Sequence, residues 1–234
     1  MHLFYCPLTD LPEIDLPEEE AHHAHHVLRL QAGTAVGLLD GRGALARAAI
    51  VACSKRGVRV QIIDVERSAA ERSHPIHLAV APTKTSDRFE WFVEKAVELG
   101  VDSIVPVETE RTERSRLRVD RLERVAISAM KQSRRRWLPR ISALTPLKEL
   151  MAAPLPPQRL FGWCEGRHGS LMDTYRKDTG AVVLIGPEGD LSAGEASLLQ
   201  AAGFTAVSIG GARLRTETAA LAACAWMSLA QQRG

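Results

Sequence analysis

The sequence is poor in cysteine and aromatic residues, and it lacks a long apolar run. Four cysteines occur in 234 residues, far apart and without a CxxC pair, which argues against a disulfide framework or a cysteine zinc site. The uncharged stretch at residues 218–232 is shorter than the ~20 apolar residues of a membrane helix. No basic stretch followed by an apolar run begins the chain, so no secretory signal is predicted. We therefore expect a cytoplasmic protein with no membrane partner.

Several catalytic and nucleotide-binding motifs are also missing. The chain contains neither GxxxxGK[ST] nor GxSxG, which disfavours P-loop enzymes and serine hydrolases of the elbow type. Its G-x-G, at Gly41 and Gly43, lies between strand-like runs and lacks the helix that a dinucleotide fingerprint needs. The histidine-rich stretch at residues 22–26 has no HExxH motif and no nearby cysteine, so no metal site is predicted. A solvated or RNA-facing histidine cluster beside Arg29 is the preferred interpretation.

Positive charge is concentrated in the middle of the chain. The whole sequence carries a formal charge of only +2, yet residues 111–140 hold ten arginines and Lys131 against three acidic residues, a net charge of +8. Guanidinium groups bind phosphate oxygens bidentately, so such a block is typical of nucleic-acid binding. The alternative is a solvated helix face on which Asp120 and Arg124 pair. Three acids cannot pair eleven bases, so most of the arginines are expected to face another anion or water.

The first seventy residues predict a small β-rich module. A helix begins at Pro17 and runs to about Leu30, with acidic residues in its first turn. Strand-like runs follow at residues 35–39, 44–53 and 58–65. The turns between them, DGRG at residues 40–43 and SKRG at residues 54–57, have the composition of hairpin turns.

From residue 76 onward, strands alternate with helices, which predicts an α/β fold with a parallel sheet. The predicted strands are 76–81, 104–107, 159–163, 181–185 and 206–209, and the predicted helices include 192–202 and 216–230, with another apolar stripe at residues 122–130. Ser192 and Glu195 form a capping box at the start of one helix. The last helix is apolar nearly all round, which indicates burial in a core or in a subunit interface.

Two glycine-rich loops follow predicted parallel strands. One is Gly186-Pro187-Glu188-Gly189, and the other is Gly210-Gly211-Ala212-Arg213, which continues into Leu214-Arg215-Thr216-Glu217-Thr218-Ala219. In open α/β sheets, ligands bind outside the carboxyl ends of strands, so the two loops predict one shared pocket. Such loops can satisfy an adenine and a ribose mainly through backbone groups. Ordinary tight turns, with Thr216 as a plain helix N-cap, are the alternative interpretation.

Taken in order, these motifs resemble one family over nearly the whole chain. They are His22-His23-x-x-x-Val27-Leu28-Arg29, Asp40-Gly41-x-Gly43, Lys84, Trp91, Lys95-Ala96-Val97-Glu98-Leu99-Gly100-Val101, Thr109-Glu110-Arg111, Gln132-Ser133-x-Arg135 with Pro139, Ile185-Gly186-Pro187-Glu188-Gly189 and Leu214-Arg215-Thr216-Glu217-Thr218-Ala219. The chain resembles the ribosomal RNA small subunit methyltransferase E family, members of the knotted SPOUT superfamily. That family methylates N3 of a uridine in 16S ribosomal RNA with S-adenosyl methionine.

The resemblance implies a domain organisation and a set of partners. It implies a PUA-like, β-barrel RNA-binding domain at residues 1–72 and a SPOUT α/β methyltransferase domain with a C-terminal trefoil knot at residues 73–234. The implied cofactor is S-adenosyl methionine, and the implied substrate is 16S ribosomal RNA within the small ribosomal subunit. The family is also homodimeric, with its active site at the interface.

The same resemblance implies the site residues. Those for the cofactor are Ile185, Gly186, Pro187, Glu188, Gly189, Ile209, Gly210, Leu214, Arg215, Thr216 and Thr218. Those for RNA are His22, His23, Arg29, Lys84, Arg111, Arg134, Arg135 and Arg136. Arg135 and Arg215 are candidates to contact the base or a phosphate during catalysis, and Glu217 is a candidate to orient a donor or accept a proton, although a carboxylate at a helix start is as often structural.

Three positions depart from the family pattern. Asp190 stands where a second glycine is usual, Arg134 where a small residue is usual, and Lys131 where a carboxylate is usual. We expect Asp190 to alter how its loop meets the cofactor, and Lys131 and Arg134 to add positive charge beside the RNA groove. Two other functions stay open from the sequence: a SPOUT methyltransferase of another RNA site, and a noncatalytic RNA-binding protein of ribosome assembly.

Overall fold

A computed structural model of the chain describes residues 1–70, 72–114 and 116–232. The chain divides into two compact units. The first comprises Met1–Glu71 with Met130–Leu138, and the second comprises Arg72–Ala129 with Pro139–Gly234. Each unit has its own sheet and its own hydrophobic core.

The first unit is built on a five-stranded sheet. Its elements in chain order are β1 (His2–Tyr5), β2 (Glu13–Asp15), α1 (Glu18–His22) with a π-helical continuation (His23–Val27), β3 (Ala35–Leu39), β4 (Ala44–Ser54) and β5 (Gly57–Arg67). The strand order is β1-β3-β4-β5-β2, with β1 parallel to β3 and the other pairs antiparallel. The three strands predicted here are confirmed, and the helix ends at Val27 rather than near Leu30.

The turn between β3 and β4 depends on its two glycines and on Asp40. The buried Asp40 carboxylate accepts hydrogen bonds from the backbone N–H groups of Arg42 and Ala44, at 2.7 and 2.9 Å. Gly43 has φ +97°, and a Cβ there would lie 2.6 Å from the ring of Trp137. Glycine is therefore required at Gly43 both by the backbone conformation and by the close approach of Trp137.

The second unit is built on an eight-stranded parallel sheet. Its elements are β6 (Ile76–Val80), α2 (Ser86–Glu98), β7 (Ser103–Glu108), α3 (Val119–Ser133, whose last residues belong to the first unit), β8 (Arg140–Ile141), β9 (Thr145–Pro146), α4 (Leu147–Ala152), β10 (Gln158–Gly162), β11 (Gly169–Ser170), α5 (Leu171–Thr174), β12 (Ala181–Ile185), α6 (Ala193–Ala201), β13 (Thr205–Ser208) and α7 (Thr216–Gln232). The order is β11-β13-β10-β12-β6-β7-β8, with β9 beside β7. The predicted α/β class with a parallel sheet is confirmed.

Apolar strands and amphipathic helices form the core of this unit. All five residues of β12 are buried, as a strand covered on both faces requires. Helix α2 buries Phe89, Phe92, Val93 and Ala96 on one face, and Gly100 at φ +78° follows its end. The predicted capping box of Ser192 and Glu195 at the start of α6 is confirmed.

Helix α7 packs against α2 and against strands β6 and β12. It buries eight residues but leaves Leu229 53% exposed. Among the described residues, no helix is long and apolar enough to cross a membrane.

Candidate functional site

A cavity of about 1,100 Å³ opens at the carboxyl ends of β10, β12 and β13 in the second unit. Three loops line it, at residues 162–168, 185–190 and 207–216, together with Arg88 and Ala219. Because β10 lies between β12 and β13 in the sheet, all three loops begin at the same edge. This is the position at which open parallel sheets bind ligands.

The two loops that the sequence singled out meet in this cavity. Ten of the eleven predicted cofactor residues line it, namely Ile185, Gly186, Pro187, Glu188, Gly189, Ile209, Gly210, Leu214, Arg215 and Thr216. Thr218 does not line it and is exposed on α7. The prediction of one pocket shared by two loops is therefore confirmed.

Thr216 joins the two loops by a buried hydrogen bond. Its hydroxyl donates to the carbonyl oxygen of Gly186 at 3.0 Å, and Thr216 is only 4% exposed. The hydroxyl is thus used between loops, not as the plain helix cap that was the alternative interpretation. Gly186 itself is tightly packed, since a Cβ there would lie 3.0 Å from Cγ of Leu191.

The third loop, residues 162–168, was missed by the sequence reasoning. The ring of Trp163 stacks on that of His168 with centroids 5.3 Å apart, and both residues line the cavity. The strand before this loop was predicted, and its end obeys the same carboxyl-edge rule. The rule that ligands bind at the carboxyl ends of strands could have pointed to this loop. It does so only when β10 is known to lie between β12 and β13.

Asp190 adopts a backbone conformation that explains why its position suits glycine. Its φ is +61°, in the left-handed region. The Asp190 carboxylate accepts a hydrogen bond from the backbone N–H of Cys164 at 3.0 Å, and its effect on how the loop meets the cofactor stays a prediction. Arg134 is likewise at φ +57°, which accounts for the preference for a small residue there.

Arg111, predicted to bind RNA, contacts the loop at residues 185–190. Its Nη1 donates to the carbonyl oxygen of Gly189 at 2.6 Å. Its neighbour Glu110 donates its backbone N–H to the buried carboxylate of Glu195 at 2.8 Å. Arg88 forms a second contact to this loop, an ion pair with Glu188 at 3.4 Å. Lys84, also predicted for RNA, is exposed and forms an ion pair with Glu113 at 3.1 Å.

The three candidate catalytic residues lie in different surroundings. Arg215 is exposed and lines the cavity. Glu217 is 7% exposed, at the second position of α7, and does not line the cavity; within the described part of the chain its Oε2 has no hydrogen-bond partner. Arg135 belongs to the first unit and is half-buried, with its backbone N–H bonded to the Met130 carbonyl.

The other residues predicted for RNA lie in the first unit. His22 and His23 are exposed on the first helical segment, and Arg29 is exposed at φ +53°. The rings of His22 and His25 each lie 4.6 Å from that of His26, so the three histidines form one cluster. Burial, followed by the charges of His25 and His22, lowers the pKa of His26.

Lys131 does not add free charge to a groove, so that expectation is wrong. Its Nζ forms an ion pair with Glu20 at 2.5 Å, and the Glu20 side chain is only 8% exposed. Because Glu20 lies 111 residues away, no local pattern indicates this pairing. The positive charge of Lys131 instead pairs with the buried carboxylate of Glu20 in the first unit.

Other residues of the arginine block also find partners inside the chain. Arg118 and Arg124 pair with Asp120, Arg121 with Glu90, and Arg136 with Glu66. Glu90 and Glu66 lie outside residues 111–140, so these two pairs fit the expectation that most of the block faces another anion or water. The Arg118 and Arg124 side chains are nevertheless more than half exposed. Such surface pairs contribute little stability.

Comparison with known proteins agrees with this geometry. A family model described as RNA methyltransferase domain matches residues 70–228, and one described as RNA methyltransferase PUA domain matches residues 16–63. Ribosomal RNA small subunit methyltransferase E of Synechocystis sp. is 32% identical over 219 residues, covering 91% of this chain and 71% of its own length. The Bacillus subtilis protein of the same name is 24% identical, covering 97% and 96%.

Solved structures show the same likeness. A probable rRNA-methyltransferase from Porphyromonas gingivalis superposes with a TM-score of 0.91 at 40% identity, covering 100% of this chain and 99% of its own. Ribosomal RNA small subunit methyltransferase E from Neisseria gonorrhoeae, bound to S-adenosyl methionine, gives 0.87 at 31%, covering 98% of each chain. The chain thus contains an RNA methyltransferase domain. The chain belongs to the ribosomal RNA small subunit methyltransferase E family, which confirms the resemblance carried by its motifs.

Proposed function

We propose that this protein transfers a methyl group from S-adenosyl methionine to N3 of one uridine in 16S ribosomal RNA. Membership of the family gives the class of reaction and substrate. The observation that carries the proposal for this chain is the cavity into which ten of the predicted cofactor residues converge, at the carboxyl edge of a parallel sheet.

The residues around the cavity fit S-adenosyl methionine. Ile209, Leu214 and Trp163 offer apolar surface for a purine, and no described atom lies within 4 Å of a Cβ built at Gly211, so its backbone is open to a ligand. Within the described residues, the buried Nε1 of Trp163 has no hydrogen-bond partner, so a donor is available to a ligand acceptor. Arg88, Glu188 and Arg215 offer both signs of charge for an amino-acid tail.

When bound, the cofactor supplies an electrophilic methyl group on a sulfonium centre. The protein must then orient the uridine and make its N3 available as the nucleophile. N3 loses a proton, and the charge that develops spreads over the two flanking carbonyl oxygens. A guanidinium near those oxygens would stabilise such an anion, and we assign contact with the base or with a phosphate to Arg135 and Arg215. Glu217 is assigned a positioning role at the start of α7, because it is buried and does not line the cavity.

RNA recognition is assigned to the exposed basic and imidazole groups outside the cavity. His22, His23, Arg29 and Arg134 are exposed in the first unit, and Lys84 and Arg111 are exposed in the second. Arg135 and Arg136 complete the proposed RNA-binding set. Proteins recognise an exposed or flipped base by stacking and hydrogen bonding to it, while basic side chains bind the phosphates of the RNA backbone.

The domain organisation and assembly follow the family. We assign residues 1–72 to a PUA-like, barrel-forming RNA-binding domain and residues 73–234 to a SPOUT domain with a trefoil knot. The bond from Thr216 to Gly186 supports the knot, since the chain after β13 returns to the loop after β12. Exposed Trp91 on α2 and Leu229 on α7, two helices that pack together, support a homodimer. A small-subunit substrate and a cytoplasmic location complete the proposal.

Product analysis tests the proposed reaction. Purified protein, S-adenosyl methionine and unmodified 16S RNA or small subunits are incubated, and the RNA is digested to nucleosides. The proposal predicts 3-methyluridine. A ribose-methylated nucleoside would instead indicate a different methyltransferase, and cofactor binding with no methylated nucleoside would reject the reaction.

The Arg135→Ala variant tests the assignment of Arg135 to the RNA side. Methylation is expected to fall far more than S-adenosyl methionine affinity, since Arg135 lies outside the residues that line the cavity. Equal losses in both quantities would refute that assignment.

A further inference from the structure

The carboxylate of Asp190 joins two of the loops that line the cavity. Its Oδ1 accepts a hydrogen bond from the backbone N–H of Leu191 at 2.8 Å, and its Oδ2 accepts one from the backbone N–H of Cys164 at 3.0 Å. Leu191 follows β12 and Cys164 follows β10, and these two strands are parallel neighbours. One side chain therefore bridges adjacent loops at the edge of the sheet where the cavity lies.

The backbone of Asp190 supports this bridge in a conformation that most side chains avoid. Its φ of +61° is in the left-handed region, and its N–H closes a turn to the carbonyl oxygen of Pro187 at 2.9 Å. Asparagine and aspartate tolerate that region better than other side chains, because they bond locally to the backbone. The bond to Leu191 is such a local bond, and it leaves the second carboxylate oxygen to reach Cys164.

The tip of the bridged loop is exposed, and its internal contacts include His168 with the Glu165 carbonyl oxygen and the stack of His168 on Trp163. Residues 164–167 are exposed, whereas Trp163 is half-buried. The backbone N–H of Trp163 donates to the carbonyl oxygen of Val207 at 3.2 Å. The next residue, Cys164, donates its backbone N–H to the Asp190 carboxylate. Burial and then the Asp190 charge raise the pKa of the Cys164 thiol, which agrees with a carboxylate lying against this loop.

We propose that Asp190 is a positioning residue that fixes the loop at residues 162–168 against the bound cofactor. The inference rests on the proposed function, since the ligand of the cavity is taken to be S-adenosyl methionine. The loop contributes Trp163 and His168 to the cavity wall. Fixing it before binding raises the fraction of molecules that are competent to bind, and affinity scales with that fraction.

Two substitutions separate the carboxylate from the backbone effect. Asp190→Gly removes both hydrogen bonds and relieves the left-handed strain, so a loss of affinity in this variant cannot arise from strain. Asp190→Asn keeps the size and the backbone tolerance, but its amide nitrogen cannot accept a hydrogen bond, so one of the two bonds is lost. Asp178→Asn, at an exposed position that does not line the cavity, is the matched control.

Two readouts are measured on the full-length variants, each with its thermal midpoint. Calorimetry gives the dissociation constant of S-adenosyl methionine, which we expect to rise about tenfold in Asp190→Gly and less in Asp190→Asn, as the loss of a charged hydrogen bond implies. Limited trypsin digestion reports the loop directly, because Arg167 is exposed at its tip. Cleavage after Arg167 should accelerate in the same order and should slow when S-adenosyl methionine is added.

The outcomes separate this inference from the proposed function. Weaker binding together with faster cleavage at Arg167, with the control unchanged, supports the role of Asp190. An unchanged dissociation constant in Asp190→Gly overturns it, and so does weaker binding without faster cleavage. If the unaltered protein fails to bind S-adenosyl methionine, the proposed function fails instead. Equal cleavage of all variants at Arg167 would then also overturn the role of Asp190 in fixing the loop.

Discussion

Replacing Thr216 with valine tests how the two predicted loops are held together. Valine keeps the β-branched shape but removes the hydroxyl that donates to the Gly186 carbonyl at 3.0 Å. Both residues are buried, so the carbonyl loses its partner without gaining water. Leaving such a group unsatisfied costs about 1–3 kcal/mol. If that whole cost falls on the binding-competent arrangement of the loops, the dissociation constant of S-adenosyl methionine rises about 5- to 150-fold.

The assay combines urea unfolding with calorimetric titration of S-adenosyl methionine. Thr205→Val is the matched control. It makes the same chemical change at an exposed position, the start of β13. We expect a lower unfolding midpoint and weaker binding in Thr216→Val alone. If Thr216→Val unfolds and binds like the unaltered protein, the bond between the loops does not support the site and the reasoning fails.

Four further predictions concern groups outside this bond. Lys131→Met leaves the Glu20 carboxylate buried and unpaired, so the free energy of unfolding in urea should fall by about 3–5 kcal/mol. Adding Glu20→Gln to this variant should restore much of that free energy. A Lys131→Met variant as stable as the unaltered protein would contradict the pairing. Gly43→Ala should cost at least about 2 kcal/mol more than Gly33→Ala, because both have positive φ but only the former meets Trp137; equal losses would contradict the clash. Burial, then Glu20, raises the pKa of Cys6 to about 11, so Cys6 should resist iodoacetamide at pH 8 in the folded protein. Asp190→Asn should lower the pKa of Cys164 and so increase its thiolate fraction and its alkylation rate at that pH, followed by mass spectrometry; an unchanged rate would contradict the Asp190 contact.

Much of the fold follows from local sequence patterns. Strands β3 and β12 lie where the apolar runs predict them, because each run is long enough to fill a buried strand and is ended by glycine-rich turns. Strands β1 and β2 escaped prediction. They have only four and three residues, and β2 buries only Ile14, so neither carries a readable alternation.

What the sequence could not provide was the order of the strands and the long-range pairs. Nothing local places β10 between β12 and β13, and that placement brings the loop of Trp163 into the cavity. The pairing of Lys131 with Glu20 similarly depends on tertiary structure. The glycine-rich loops were found because close backbone approach restricts residue choice in a way that a single sequence displays.

The most direct test of the central claim is the position of the modification on the RNA. A methyl group on N3 of uridine occupies the edge used for base pairing, so it stops reverse transcription at the modified base. Unmodified small subunits and naked 16S RNA are incubated with the protein and labelled S-adenosyl methionine, then copied by reverse transcriptase. The account predicts label in 3-methyluridine and one new stop at a single uridine. Stops at many uridines, or label without any stop, would contradict it.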